Sequence, residues 1–239
     1  MTRFSSFDTP FDAVVIGASG GIGAAFTKQL EADDGVGAVL PFARSTHDSH
    51  IDFTNEASIE AAAAMASQLA NLRLVIVAAG LLHDGELQPE KALRDLSDEG
   101  FERNFAVNTI GPALVLKHFA RLMPRTGKSA IACLSARVGS ISDNRLGGWY
   151  AYRASKAALN MVLRTSAIEL VRTRRELVVL GLHPGTVDTG LSAPFQGAVA
   201  DGKLFSPEQS ASHQLDAINA ATIEQSGSVL AWDGSTVPA

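Results

Sequence analysis

Gly17-Ala18-Ser19-Gly20-Gly21-Ile22-Gly23 follows the apolar run Asp12-Ala13-Val14-Val15-Ile16, and beyond it Ile22, Phe26 and Leu30 recur at four-residue spacing. An unbroken apolar run, a glycine-rich turn and a four-residue period read as strand, tight turn and amphipathic helix. Glycines allow the sharp turn and let backbone N–H groups come close to a ligand. The helix N-terminus beyond it carries partial positive charge, so a pyrophosphate is the natural occupant. The glycines fit GxxxGxG (Gly17, Gly21, Gly23) and equally GxxGxxG (Gly17, Gly20, Gly23), whereas GxGxxG is absent because Ser19 takes the place of its second glycine. The same letters match GxSxG, a nucleophile elbow with Ser19 as nucleophile, and Asp188 and His213 follow in hydrolase order. Only 16 residues precede the turn, too few to build the mid-sheet scaffold on which an elbow serine sits.

Outward from this turn the pattern repeats. Apolar runs at 12–17, 37–42, 50–52 (a short His-Ile-Asp), 73–80, 129–135, 177–183 and 227–232 alternate with segments of helical period at 56–70, 98–123, 152–172 and 206–222. The last helix opens on Ser206-Pro207-Glu208-Gln209, an N-cap serine, a proline at the first helical position and a capping-box glutamine. Continuous Val/Ile/Leu runs suit parallel strands covered on both faces. The expected fold is α/β, a single Rossmann-type doubly wound parallel sheet of about seven strands with helices on both faces, over 1–239 as one domain. Pro41 is out of place in a central strand and predicts a strand end or irregularity.

Composition narrows the function classes. The 239 residues carry 20 Lys+Arg against 25 Asp+Glu, a net charge of −5, which argues against a nucleic-acid binder. Cys133 is the only cysteine, so no intrachain disulfide or CxxC site is available. The first residues, MTRFSSFDTPFD, lack the apolar core of a signal peptide, and the apolar stretch 74–82 is about half a membrane span. A cytoplasmic protein without membrane or nucleic-acid partners is expected. His47 and His50 have metal-ligand spacing, but a polar loop near the adenosine end explains them, and no metal is expected.

Two further stretches carry chemistry. At the end of the second strand, Phe42-Ala43-Arg44-Ser45-Thr46 offers no carboxylate for a ribose 2′-hydroxyl, and the Arg44 fork suits a 2′-phosphate. NADP(H) is therefore expected over NAD(H), with Asp52 placed to accept from the adenine amino group. Tyr152-Arg153-Ala154-Ser155-Lys156 puts a phenol and an ammonium at i, i+4 on one helix face. A neighbouring ammonium stabilises a phenolate, lowering its pKa from near 10 so that it can act as acid and base.

With these residues in place, the chain resembles the short-chain dehydrogenase/reductase family along its whole length, most closely the C-factor or carbonyl-reductase-like branch. The resemblance rests on GASGGIG (17–23), AAG (78–80), Asn108 in FAVNTIGP, LSARVGS (134–140), YRASK (152–156) and HPGTVDT (183–189). It implies that Tyr152 exchanges a proton with a carbonyl or alcohol oxygen, and that Lys156 lowers the tyrosine pKa and binds ribose hydroxyls. Asn108 would kink its helix and hold a proton-relaying water. Cofactor contacts would come from Gly17, Ser19, Gly21, Ile22, Gly23, Arg44, Asp52, Ala79, Gly80, Pro184, Gly185, Val187 and Thr189. Two departures stand out: Ala78 replaces the usual asparagine of Asn-Ala-Gly, and Ser135-Ala136 replaces the usual Ser-Ser pair. Ser135 then becomes the expected carbonyl-polarising serine, with Ser140 in reserve.

The expected function is an NADP-dependent oxidoreductase interconverting a carbonyl and an alcohol. The rivals are an NADP-binding signalling protein with little turnover and, further off, the Ser19 hydrolase. A small-molecule substrate would be held by 137–150 and 190–205. The latter segment is expected to be a lid, with Phe195 as one apolar wall and Trp149 and Leu146 as the opposite one. Apolar faces on 98–123 and 152–172 suit the helix pairing of a homodimer or homotetramer, as the family resemblance implies.

Overall fold

The computed structural model describes residues 2–198, 200 and 202–239. Its strands are Phe11–Ile16 (β1), Val36–Phe42 (β2), Leu72–Val77 (β3), Ser129–Leu134 (β4), Leu177–His183 (β5), Thr186–Val187 (β6), Leu204–Phe205 (β7) and Val229–Ala231 (β8). Six of them form a parallel sheet in the order β2-β1-β3-β4-β5-β8, and β6 pairs with β7 apart from it. The helices are Gly21–Glu31 (α1), Glu56–Ala66 (α2), Asp98–Phe105 (α3), Gly111–Phe119 (α4), Tyr150–Leu170 (α5) and Pro207–Ala220 (α6).

Strand side chains alternate between faces, and each apolar run divides accordingly. Val14, Ile16, Val75, Val77, Ile131, Cys133 and Val179 pack with Ile59 of α2, Val115 and Phe119 of α4, and Leu159 and Leu163 of α5. Phe11, Ala13, Val15, Leu74, Ile76, Ala130, Ala132, Val178 and Leu180 face the other way, onto Phe26 and Leu30 of α1 and Leu215 and Ile218 of α6. Both faces are thereby dry, which explains why the strands read as unbroken apolar runs.

Several expectations change. The His-Ile-Asp run is not a strand: Ala43 and His50 make one isolated bridge, so the sheet has six strands rather than about seven. Pro41 lies inside β2, where it is tolerated because β2 is an edge strand with one side unpaired. The 56–70 helix ends at Ala66. The 98–123 helix is interrupted by a π turn at Ala106–Ile110, in which the Gly111 amide reaches back to the Ala106 carbonyl. Pro112 has no N–H to give the carbonyl four residues back, that of Asn108, so the regular ladder cannot pass through. The capping box at Ser206 and Gln209 forms as read.

The chain leaves β1 for β2 on one side and then enters β3 on the other. The order reverses there, and a crevice opens at the carboxyl ends of the strands.

Candidate active site

The crevice is a cavity of about 830 Å³ at the carboxyl ends of the strands. At its base is the 17–23 turn. Gly17 has φ +90, and a Cβ on it would lie 2.8 Å from the Ala78 carbonyl carbon, so the turn nests against the strand beside it. Gly20 is the N-cap of α1 and the first turn holds no acidic side chain. The N–H groups that begin a helix lack partners within it, so here they face the cavity without a carboxylate in competition. A Cβ on Gly21 would meet the Thr189 methyl at 2.9 Å, which brings the turn and the 183–189 segment to opposite sides of one slot. These donors and this shape fit a dinucleotide pyrophosphate.

At one end of the cavity lie Ala43, exposed Arg44, Ser45 and Asp52. Asp52 Oδ1 accepts from the Thr54 amide and hydroxyl at 2.9 and 2.8 Å, and these bonds hold its carboxyl below the usual range. His50 bonds the Arg44 carbonyl at 3.0 Å and so braces the loop that presents Arg44, whereas His47, fully exposed, reaches only its neighbour Asp48.

At the other end are Tyr152, Lys156 and Ser135. Tyr152 and Lys156 are 8% and 3% exposed. Lys156 Nζ donates to the Leu134 carbonyl at 2.9 Å and stands 5.7 Å from the Tyr152 ring centroid. Burial pushes the phenol up to about 12 and brings the ammonium down to about 8. Desolvation thus outweighs the lowering expected from Lys156 and sets the direction of the shift on Tyr152.

Asn108 lies outside the cavity wall and is fully buried. Its Oδ1 accepts from the Leu81 amide at 2.8 Å, and its Nδ2 donates to the Leu81 carbonyl at 2.8 Å and to Asn104 and Ser155 at 3.1 Å. Ser155 in turn donates to the Tyr152 carbonyl at 2.8 Å. The π turn therefore braces both the loop after β3 and the helix that carries Tyr152. Ser135 donates to Asn160 Oδ1 at 2.6 Å. Ser140 is not on the cavity wall; its hydroxyl bonds the Ala239 carbonyl and the Asp143 amide.

Gly17, Ser19, Gly21, Ile22, Arg44, Asp52, Ala79, Gly80, Pro184 and Thr189 line the cavity, whereas Gly23, Gly185 and Val187 do not. Gly23 packs against the turn itself, since a Cβ there would sit 2.1 Å from the Gly17 carbonyl oxygen. Gly185 has φ +76 and lies against the Phe205 ring, and Val187 is buried. Leu191, within the expected 190–205 segment, lines the wall, and the sequence reading missed Phe53, Thr54, Leu81 and Val107, which also line it. Phe53 and Thr54 directly follow Asp52, and Val107 precedes Asn108, so adjacency was the only available signal.

The 190–205 segment is more ordered than a plain loop. It holds a 3₁₀ turn at Ala193–Ala198 and ends in β7; residues 199 and 201 lie outside the described residues. Phe195 is not opposite Trp149 but against it, ring centroids 5.0 Å apart, with His83 at 5.6 Å from Phe195 and Trp149 at 6.2 Å from Tyr152. Leu146 is 93% exposed and forms no wall. His83 Nε2 bonds the Gly190 carbonyl at 3.1 Å, tying the segment's start to the loop after β3.

The hydrolase reading fails on geometry. His213 packs its ring on Phe205 and Trp232, and Asp188 accepts from Gln196, so no triad is assembled on Ser19. Among the described residues no helix is long and apolar enough to cross a membrane.

A family profile described as short chain dehydrogenase matches residues 12–198. The chain is 33% identical over 231 residues, 93% of its length and 96% of the relative's, to 1-hydroxy-2-glutathionyl-2-methyl-3-butene dehydrogenase of Rhodococcus sp. (strain AD45). It is 35% identical over 147 residues, 62% of its length and 83% of the relative's, to C-signal of Myxococcus xanthus. Among solved structures it is similar to NADPH-bound carbonyl reductase from chicken fatty liver, with a TM-score of 0.79, 25% identity and coverage of 97% and 100% of the two chains. With the fold, the glycine turn and the Tyr-Lys helix in agreement, the chain belongs to the short-chain dehydrogenase/reductase family.

Proposed function

We propose that this oxidoreductase uses NADP(H) to interconvert a carbonyl and a secondary alcohol, with Tyr152 as general acid and base. The observation that carries the reading is that Tyr152, Lys156, the 17–23 turn and Arg44 all open into one cavity. The turn and the α1 N-terminus would hold the pyrophosphate, and Arg44 a 2′-phosphate. Ala79, Gly80, Pro184 and Thr189 would line the rest of the slot. The cofactor supplies hydride exchange with the substrate carbon.

The chain's own part is to position and to move a proton. The Tyr152 phenol, protonated at neutral pH, stands ready to donate to a carbonyl oxygen in reduction. Lys156, charged at neutral pH with its pKa near 8, stabilises the phenolate left behind. Ser135 can orient the carbonyl once its hydroxyl turns from Asn160. The Trp149 ring packs edge-on to Tyr152, with Phe195 against Trp149, and gives the tyrosine an apolar flank. Exposed Met161 and Ile168 on α5 provide the apolar surface for a homodimer or homotetramer.

The test is NADPH oxidation over a panel of aldehydes, ketones and quinones, repeated with Tyr152→Phe. Turnover that falls by about 10²–10⁴-fold in the variant, with NADPH affinity kept, is the expected result. The similarity to C-signal and the alanine at position 136 favour a second reading, an NADP-binding regulatory protein. Tight NADPH binding without turnover on any carbonyl would establish it in place of the first.

A further inference from the structure

The helix that carries Tyr152 begins badly by its own sequence. Its N-cap is Trp149, which offers no oxygen, and its first turn contains no acidic residue. Gly147, Gly148 and Trp149 all have φ between 52 and 65, and Trp149 is the one non-glycine with left-handed backbone among the described residues. Arg153 and Lys156 then place two cations in the first two turns, next to the positive end of the helix dipole. Arg153 is drawn back onto the carbonyls of Gly147, Gly148 and Val138 at 2.9–3.3 Å, but none of these neutralises charge. A helix with such a start frays unless something outside it satisfies its N–H groups.

Glu90 does so from the loop after β3. Its Oε2 accepts from the Ala151 amide at 3.2 Å and its backbone carbonyl accepts from the Trp149 amide at 2.6 Å. Although acidic and in an irregular loop, it is 6% exposed. A buried carboxylate is costly unless hydrogen-bonded or paired, which singles this one out. Its other oxygen faces the N-terminal turn of α3, where a Cβ on Gly100 would come within 3.4 Å.

We propose that Glu90 is a positioning residue for the reaction: it caps α5 from a distant loop, holding Trp149 and Tyr152 in place through the Ala151 amide. This rests on the carbonyl-reductase reading for its kinetic consequence but not for the cap itself. The left-handed entry sets the Trp149 ring edge-on to Tyr152, and Glu90 holds the Trp149 amide at that entry and the Ala151 amide two residues on. Nothing in the local sequence of α5 substitutes for it.

The experiment compares Glu90→Ala and Glu90→Gln by amide hydrogen exchange, turnover and NADPH affinity. In Glu90→Ala, the Ala151 amide is expected to lose at least tenfold in protection, and kcat to fall at least tenfold with NADPH affinity within about twofold. Glu90→Gln keeps an oxygen for Ala151 but not the charge, and is expected to recover part of both losses. Unchanged Ala151 protection in Glu90→Ala overturns the cap. Equal losses in kcat and NADPH affinity, with no recovery by glutamine, reduce Glu90 to a general fold determinant. If Glu90→Ala does not fold, Glu90→Met, which keeps the length but offers no oxygen, is read in its place: reduced Ala151 protection and kcat with unaltered NADPH affinity support the proposal, and wild-type values of both overturn it. If the wild-type protein turns over no carbonyl, the function reading fails by that result, while the exchange data still decide the cap.

Discussion

Replacing Asn108 with alanine tests the brace that joins the loop after β3 to the catalytic helix. Asn108 is fully buried and holds both backbone groups of Leu81 at 2.8 Å, with weaker bonds to Asn104 and Ser155. Truncation strands the Leu81 amide and carbonyl, and a buried group left without a partner costs about 1–3 kcal/mol. Leu81 is half-buried and lines the cavity, so water can reach one of the two. The expected loss is therefore about 2–4 kcal/mol, rather than the full cost of two orphaned groups. For a chain of this size that corresponds to a fall in Tm of roughly 5–15 °C. Urea denaturation of the wild type and variant measures it, with an unchanged m-value showing that the unfolded state is not responsible. Asn108→Asp keeps an acceptor for the Leu81 amide but turns an anionic oxygen toward the Leu81 carbonyl, so its loss should be at least as large. Because Ala79, Gly80 and Leu81 line the cavity, NADPH affinity should weaken in both. A loss below about 0.5 kcal/mol, the size of an ordinary surface substitution, would refute the brace.

Arg44→Ala should weaken NADPH about 10–100-fold, the worth of a charge-assisted bond, and leave NADH nearly unchanged in a binding titration; equal losses would remove the 2′-phosphate assignment. Gly23→Ala is expected to abolish nucleotide binding and lower Tm sharply, because its Cβ would lie 2.1 Å from the Gly17 oxygen, which is backbone and cannot swing aside. His183 sets an acid-side limit. Burial and Arg137 bring its pKa down to about 4, so between pH 6.5 and 4 the unfolded chain takes a proton that the folded one refuses. Stability should fall by up to about 3 kcal/mol as pH drops through that window, and His183→Asn should flatten the decline in denaturation curves taken from pH 7 to 4.

Much was legible along the chain because its signals are local. Strand 12–16, the turn at 17–23 and the helix after it all lie before residue 32, and Tyr152 and Lys156 are one helical turn apart. The capping box at Ser206 is likewise confined to four residues. The short His-Ile-Asp run misled for the converse reason: a run this short, with Ile51 its one strand former, makes a strand only if a neighbour lies alongside, and here a single bridge at His50 is all that forms. The π turn follows from Pro112, yet its purpose is visible only where Asn108 meets Leu81, 27 residues earlier in the chain.

By itself the sequence determined an α/β nucleotide-binding architecture, the phosphate turn, and the pairing of a phenol with an ammonium. Each depends on residue type and spacing within a few turns of chain. Tertiary structure alone decided the charge states and the walls. Burial in the cavity pushes the Tyr152 phenol up to about 12, a shift that neighbours along the chain do not reveal. Phe195 and Trp149, 46 residues apart in sequence, meet ring to ring. Glu90, in a loop without pattern, completes a helix that begins 60 residues later. Desolvation and long-range hydrogen bonds depend on what surrounds a group in space, and neighbours along the chain carry no record of them.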